Sequence, residues 1–497
     1  MDAKILNGFG LCVLALSANG LFLSAATKDK KDKMNVVYIL ADDMGYGDLS
    51  CTGQVKFSTP NIDRLRAEGM LFTNHYAGCT VSAPSRSSLM TGQHTGHTFI
   101  RGNVPVGTRF NVDEGQFPLP ARTYTIAKMF KEAGYVTGAF GKWGLGYPGS
   151  EGDPINQGFD EFYGYNCQRE AHRYYTKHLW HNGEKIILEE NIPYYQKQYA
   201  PDIIHSEALK FIRDHSDENF FLYVPVILPH AELIVPEDEI IEKYRGKYEE
   251  KPFEAETPKA PYGPKMGVAS YCPQPEPYAT YAAMVARIDK YVGEIVDEIK
   301  RQGLEDNTII FFTSDNGPHC EGGANPDYFN SNGPFRGIKR DLYEGGIRLP
   351  LIAWAPGRIK ANTTNDHICA FWDMLPTFAQ MTDVDISPKT TFDGISIVPS
   401  LFGKGRQKEH DYLYWEFYEQ DGKAAIRDGK WKLIVQNIAI PGLTSVELYN
   451  LEEDVHEDNN IAESHPKIVK KLCKKMREAH ADSEYFIFAP QKKRNKR

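Results

Sequence analysis

Five short, continuously apolar runs separated by amphipathic segments constrain this chain more than any other feature. They span residues 35–41, 135–140, 220–227, 308–313 and 349–354. A strand that is apolar at nearly every position has no face to offer water, so it must be covered on both sides. The segments between carry helical spacing: 62–68 ending at Gly69, 123–133 ending at Gly134, and 203–211. The longest, 281–299, has apolar residues at 281, 284, 285, 288, 292, 295, 296 and 299, which is one stripe of a helix. Strands alternating with helices predict an α/β fold with a mostly parallel central sheet flanked by helices.

The residues just past each strand carry chemistry. The first run leads into Asp42-Asp43, the second into Gly141-Lys142-Trp143, the third into Pro229-His230 and the fourth into Asp315-Asn316-Gly317. Ligands of open α/β sheets bind at the carboxyl ends of the strands, so acids, an amide, a lysine and a histidine are delivered to one rim. Asp42, Asp43, Asp315 and Asn316 offer only oxygen, which favours calcium or magnesium over zinc. The plainer alternative is helix capping by Asp42 or Asp315 and a turn at Asn316-Gly317. Residues 81–92 read as a serine-rich turn and a helix stopped by Gly92. Ser82 and Arg86 lie four apart, hence on one helical face, at an end that attracts anions. From the residues alone, this is a serine nucleophile for a phosphate or sulfate ester.

The remaining features bound the setting. Lys4, a largely apolar stretch over 5–23, Ser24-Ala25-Ala26 and the charged run 28–33 predict a signal peptide over 1–26 and export to the periplasm or beyond. No later run of about 18 apolar residues occurs, so stable membrane insertion is not expected. The formal net charge of −9 argues against nucleic acid as a partner. Past the leader the seven cysteines are scattered without a CxxC pair, which excludes a zinc motif and a disulfide framework. Seven prolines between 251 and 278 predict a long irregular loop rimming the site. From about residue 404 the pattern changes to short strands at 412–415, 424–426 and 430–435. The last two are joined at Asp428-Gly429, and a helix comes after them at 468–476. A main α/β domain over 34–403 and a smaller antiparallel subdomain over 404–497 are expected.

Ser82-x-Pro84-Ser85-Arg86-x-x-Leu89-x-Thr91-Gly92 resembles the signature of the formylglycine-dependent sulfatases, whose fold is that of the alkaline phosphatase superfamily. Asp42-Asp43-Met44-Gly45, Thr59-Pro60-Asn61, Gly141-Lys142-Trp143, Pro229-His230, Asp315-Asn316-Gly317, Gly337-x-Lys339 and Glu344-Gly345-Gly346-x-Arg348-x-Pro350 extend the resemblance over 34–360. It is nearest to the arylsulfatase A and N-acetylgalactosamine-6-sulfatase branch, in its bacterial serine form. The resemblance implies that a radical-SAM maturase oxidises Ser82 to formylglycine before export. The hydrated gem-diol would then attack sulfur, and its second hydroxyl would release the enzyme-bound sulfate. One calcium ion would be held by Asp42, Asp43, Asp315, Asn316 and the modified side chain at 82. Arg86 would hold the formylglycine, Lys142 and Lys339 would clamp sulfate, and His230 would protonate the leaving alkoxide or bind sulfate. With calcium, these charges leave the pocket at roughly +2, which outweighs the screened acidic surface.

The implied substrate is an O-sulfated carbohydrate, a terminal galactose or N-acetylgalactosamine sulfate. One position departs from the pattern: Gly144 stands where the family has histidine. Gln168 and His172 are the candidates to take over at the substrate, whereas His94 and His97 receive no role. Tyr174-Tyr175 and Leu179-Trp180 either stack on sugar or are buried, and burial is the commoner fate. Two rivals stand beside a sulfatase: a phosphodiesterase or phosphonate hydrolase of the same superfamily, and a sulfoglycan-binding pseudoenzyme.

Overall fold

The computed structural model describes residues 33–106, 114–254 and 271–490. The expected signal peptide and most of the proline-rich loop lie outside these residues. The main sheet is built from β1 (Asn35–Ala41), β2 (Met70–Tyr76), β3 (Val136–Lys142), β4 (Glu161–Tyr165), β5 (His178–His181), β6 (Glu184–Ile187), β7 (Phe220–Pro225), β8 (Thr308–Ser314), β9 (Arg348–Trp354), β10 (Thr363–Asn365) and β11 (Cys369–Ala370). Its order is β10-β2-β9-β8-β1-β7-β3-β4-β5-β6, with β11 beside β2.

β1 is central and buried at every position, pairing in parallel with β7 and β8. Its side chains alternate between two cores, as a strand requires. Val37, Ile39 and Ala41 face one core with α1 (Pro60–Glu68), α4 (Ala200–Asp214) and α5 (Pro277–Arg301). Val36, Tyr38 and Leu40 face the other, with α2 (Ser82–Thr91), α3 (Ile126–Glu132) and α6 (Met374–Thr382). The sheet is thus covered on both faces. The fifth apolar run, β9, is antiparallel to β8 and β2, unlike the other four. β2 escapes a period-based reading because Thr73-Asn74-His75 interrupts its apolar residues, where the pairing with β9 also shifts register.

The second sheet comprises β12 (Leu413–Phe417), β13 (Lys423–Asp428), β14 (Trp431–Gln436) and β15 (Ser445–Asn450), all antiparallel. Asp428 pairs with Trp431, so the two-residue loop is Gly429-Lys430, one residue beyond the expected Asp428-Gly429, and Gly429 supplies its positive φ of 58°. One face packs on α7 (Pro466–Ala479) through Leu472, Met476 and Ala479. The other shares a core with the main sheet: Trp415, Phe417, Ala425 and Ile434 meet Tyr76, Val81, Ile347 and Trp372. All seven cysteines of the described residues are free, and no described helix is long and apolar enough to cross a membrane.

A buried polar network joins the two sheets. Lys432 Nζ lies 2.8 Å from Glu344 Oε1 and 2.9 Å from Glu457 Oε1, while Tyr76 Oη donates to Glu344 Oε2 at 2.6 Å. Burial opposes both carboxylate charges, yet Lys432, Arg348 and Arg427 hold Glu344 down to about 2. Burial pushes Glu457 up to about 7. Lys432→Met would take the cation from buried Glu457 and one of the cations from Glu344, and should cost about 3–5 kcal/mol at pH 8, read from the urea midpoint. Glu457, already raised by burial and by the Glu344 charge, would lose the cation that lowers it, whereas Glu344 would keep Arg348 and Arg427. The folded variant would bind more protons than the unfolded chain from roughly pH 4.5 upward, so its deficit should shrink at pH 5.

Candidate active site

The register of the central strands assembles the acidic cluster. Ala41 of β1 pairs with Ser314 of β8, so Asp42 and Asp315 emerge side by side. Asp315 N–H donates to Ala41 O, and Asp42 N–H to Leu228 O, both at 3.0 Å. Asp43 takes φ 62°, a left-handed conformation that Asp tolerates. Its N–H donates to Asp315 Oδ1 at 3.1 Å.

Ser82 is the first residue of α2. Two side chains fix that end: Ala83 N–H donates to Asn103 Oδ1 at 2.9 Å and Ser85 Oγ to Asp315 O at 2.5 Å. Ser82 Oγ donates to Asp42 Oδ1 at 3.0 Å. Lys142 Nζ, at the end of β3, reaches Asp42 Oδ2 at 2.6 Å and Ser82 Oγ at 3.2 Å. Arg86, one helical turn on, places Nε and Nη2 at 3.1 and 2.9 Å from Asp315 Oδ2 and donates to Lys142 O at 2.7 Å. Capping does not explain these acids, since Asp42 accepts from Ser82 and Lys142, and Asp315 from the Asp43 N–H and Arg86.

Asp43 organises the other half. Asn316 Nδ2 donates to its Oδ1 at 2.6 Å and Lys339 Nζ to its Oδ2 at 2.7 Å. Lys339 Nζ also lies 3.1 Å from His230 Nε2, which is 3.3 Å from Asp43 Oδ2. Glycines let the Lys339 loop approach: a Cβ on Gly345 would fall 2.2 Å from Gly337 O.

These groups are buried, and their charges interact strongly. Burial would raise the Asp42 carboxyl, but Lys142, His230 and Arg86 hold it well below the carboxylate range. Asp43 is likewise lowered against its burial, chiefly by Lys339. Burial, then the charge of Asp42, pushes Asp315 up to about 7 despite Arg86. Burial pushes His230 down to about 4, aided by Lys339. The donor set suits a hard divalent cation: three carboxylates, the Ser82 hydroxyl and Asn316 Oδ1, which is buried with no hydrogen-bond partner. An acceptor oxygen without a donor, beside crowded carboxylates, is what such an ion satisfies.

Gln168 and His172 also come to this site. Gln168 Nε2 donates to Gly144 O at 3.4 Å, and a Cβ on Gly144 would lie 2.8 Å from Gln168 Cγ. Gln168 therefore fills the space a side chain at 144 would need. The His172 ring stacks on His230 with centroids 5.0 Å apart. Tyr174, Tyr175 and Leu179 are buried, so they offer no sugar platform. Trp180 is half-buried and donates to Glu114. His94 and His97 pair with Asp393, away from the cluster. His94 Nδ1 accepts the Gly96 N–H, so its Nε2 carries the proton and is not free for a metal.

Sequence reasoning missed two kinds of residue. Glu321 bridges Lys339 and Arg340, and Glu232 pairs with Arg173 at 3.0 Å, tying the His172 segment to that of His230. Glu321 lies five residues past Asn316 in a loop whose lack of periodicity gave no signal.

Comparison with known proteins gives the family. Residues 34–384 match the family model described as Sulfatase, and residues 336–482 match N-sulphoglucosamine sulphohydrolase, C-terminal. The chain is 30% identical to N-acetylgalactosamine-6-O-sulfatase of Bacteroides thetaiotaomicron, covering 88% of this chain and 92% of that one. It is 29% identical to N-acetylgalactosamine-6-sulfatase of Mus musculus, covering 84% and 74%. Among solved structures, Ps i-CgsB in complex with k-i-k-neocarrahexaose superposes with a TM-score of 0.73 at 26% identity, covering 91% and 95%.

Gly144 has φ +81°, so Gly144→Ala should lower stability by about 1–3 kcal/mol, measured by urea unfolding. Adding Gln168→Ala should recover only part of that loss, because it relieves the contact and leaves the strained backbone.

Proposed function

The chain belongs to the sulfatase family and is a sulfuric ester hydrolase with an alkaline-phosphatase-like fold, and from that premise we propose that it hydrolyses O-sulfate esters of carbohydrates. The observation that carries this reading is Ser82, held at a helix N-terminus between Asp42 Oδ1 and Lys142 Nζ at 3.0 and 3.2 Å. Converted to formylglycine and hydrated, residue 82 would offer two hydroxyls. One hydroxyl gives up its proton and its oxygen attacks sulfur while the bond from sulfur to the sugar oxygen breaks, and the sugar oxygen takes a proton. The second hydroxyl then gives up its proton as the bond from residue 82 carbon to the sulfate oxygen breaks, leaving the aldehyde and inorganic sulfate.

Each neighbour has a part in those steps. Arg86 orients residue 82 through Asp315 and the Lys142 carbonyl. Lys142 at the Asp42 end and Lys339 at the Asp43 end clamp the sulfate oxygens. His230, hydrogen-bonded to Lys339, serves the leaving oxygen, with Gln168 and His172 beside it at the substrate. Calcium is the ion we assign to Asp42, Asp43, Asp315, Asn316 and residue 82; bound there, it supplies positive charge to the sulfate oxygens. Terminal galactose or N-acetylgalactosamine sulfates are the substrates we assign, and the N-acetylgalactosamine-6-sulfatase names of relatives support the second of these sugars. Export behind a signal peptide over 1–26, conversion of Ser82 by a radical-SAM maturase and a division into 34–403 and 404–497 complete the proposal.

Sulfate release from a panel of monosulfated sugars tests it, with an aryl phosphodiester as competitor substrate. Faster phosphodiester cleavage would overturn the assignment. The peptide containing residue 82 should weigh about 2 Da less than its serine form. Ser82→Ala should lower sulfate release more than about a thousandfold. A calcium chelator should abolish activity, and added calcium should restore it.

A further inference from the structure

The mouth of the site holds a charged set with no role so far. Lys339 is followed by Arg340, whose backbone takes φ 76°, a conformation rare for a residue with a Cβ. Three contacts keep it there. Its N–H donates to Thr80 O at 3.1 Å, its carbonyl accepts from Lys423 Nζ at 2.8 Å, and its Nη1 lies 2.6 Å from Glu321 Oε1. A strained residue fixed from both sides marks a side chain whose direction matters. The Arg340 side chain is 34% exposed, against 5% for Lys339 and 16% for Glu321. The guanidinium is thus where this cluster meets solvent. The other Glu321 oxygen takes Lys339 Nζ at 3.0 Å, so one carboxylate couples the sulfate clamp to the lip.

A second carboxylate reaches the lip from the C-terminal sheet. Glu419, between β12 and β13, accepts the Asn103 backbone N–H and feels the charges of Arg340, Lys339 and Glu321. Asn103 Oδ1 in turn accepts the Ala83 N–H, so Glu419 stands two hydrogen bonds from the residue after Ser82. Tyr271, 5.4 Å from the His172 ring, borders the same opening. Lys339 is shared between Asp43 at 2.7 Å and Glu321 at 3.0 Å, so Lys339 and Arg340 together face three carboxylates, Asp43, Glu321 and Glu419. In the pocket behind, Asp42, Asp43 and Asp315 balance Arg86, Lys142 and Lys339, so a bound divalent ion would make it cationic, whereas the entrance carries the excess of carboxylate.

We propose that Arg340, paired with Glu321 and lying in the field of Glu419, reads the sugar: its remaining N–H groups and the two carboxylates bond hydroxyls of the ring that bears the sulfate, and the surplus negative charge rejects a second anionic group beside it. A hydroxyl both donates and accepts, so it needs such a mixed pair. The substrate class selected is a sugar with a single sulfate and neutral hydroxyls at neighbouring positions, in preference to a disulfated ring or one carrying a carboxylate. This rests on the carbohydrate reading above.

The test uses the full-length protein with residue 82 converted, assayed by sulfate release on a monosulfated sugar, its disulfated counterpart and a sugar-free aryl sulfate. The wild type should prefer the monosulfated sugar, and Glu419→Gln should reduce that preference about tenfold by removing one partly screened charge. Arg340→Ala should raise KM for the monosulfated sugar about tenfold more than for the aryl sulfate, and Arg340→Lys should restore only part because it lacks the planar fork. Melting curves matching wild type would exclude misfolding as the source of these changes. An unchanged preference in Glu419→Gln, or an equal loss on sugar and aryl sulfate in Arg340→Ala, would overturn this proposal while leaving the carbohydrate reading intact. Aryl sulfate turnover with no sugar turned over would overturn both.

Discussion

The Arg86–Asp315 pair is the interaction on which the rest of the site depends. It joins the nucleophile helix α2 to the end of β8, and the same guanidinium reaches β3 through the Lys142 carbonyl. Three elements far apart in sequence are thereby locked around one side chain that is 1% exposed. A buried guanidinium is tolerable only when its donors are matched, and removing the partner of such a pair costs about 3–5 kcal/mol. Geometry at Ser82 is therefore held by the same forces that hold the core. A nucleophile placed this way needs no rearrangement to meet a sulfate, which is what preorganised catalysis requires.

Much of this arrangement was legible in the sequence, for a definite reason. Apolar strands that end in Asp42-Asp43 and Asp315-Asn316 converge because β1 and β8 are neighbours in register, and parallel strands bring their carboxyl ends to one rim. Lys142 and His230 obey the same rule applied to β3 and β7. The i, i+4 spacing of Ser82 and Arg86 placed both on one face of α2. Helix ends were less exact: α5 begins at Pro277 and ends at Arg301, beyond the apolar stripe that revealed it.

Other features had no periodic signature. β2 hides behind Thr73-Asn74-His75, and β9 reads as another buried strand because antiparallel direction leaves no mark on an apolar run. Glu344 sits in a motif beside the active-site loop, yet its carboxylate is spent on Lys432, Tyr76 and Arg348 as a latch between sheets. Glu321 and Glu419 lie in loops, and only the fold brings them to Arg340. The departure at Gly144 could be seen in the sequence, but its consequence, the space taken by Gln168, could not.

The shared core between the two sheets sets an order of events. Val81 and Cys79, just before the nucleophile, pack with Trp415, Ile434 and Tyr449, so the wall behind Ser82 is finished only when the last third of the chain arrives. Synthesis of that stretch takes roughly tens of seconds at common translation speeds. Once closed, the fold leaves Ser82 2% exposed, so a second protein acting on that side chain would meet it most readily on a chain in which these elements have not yet closed.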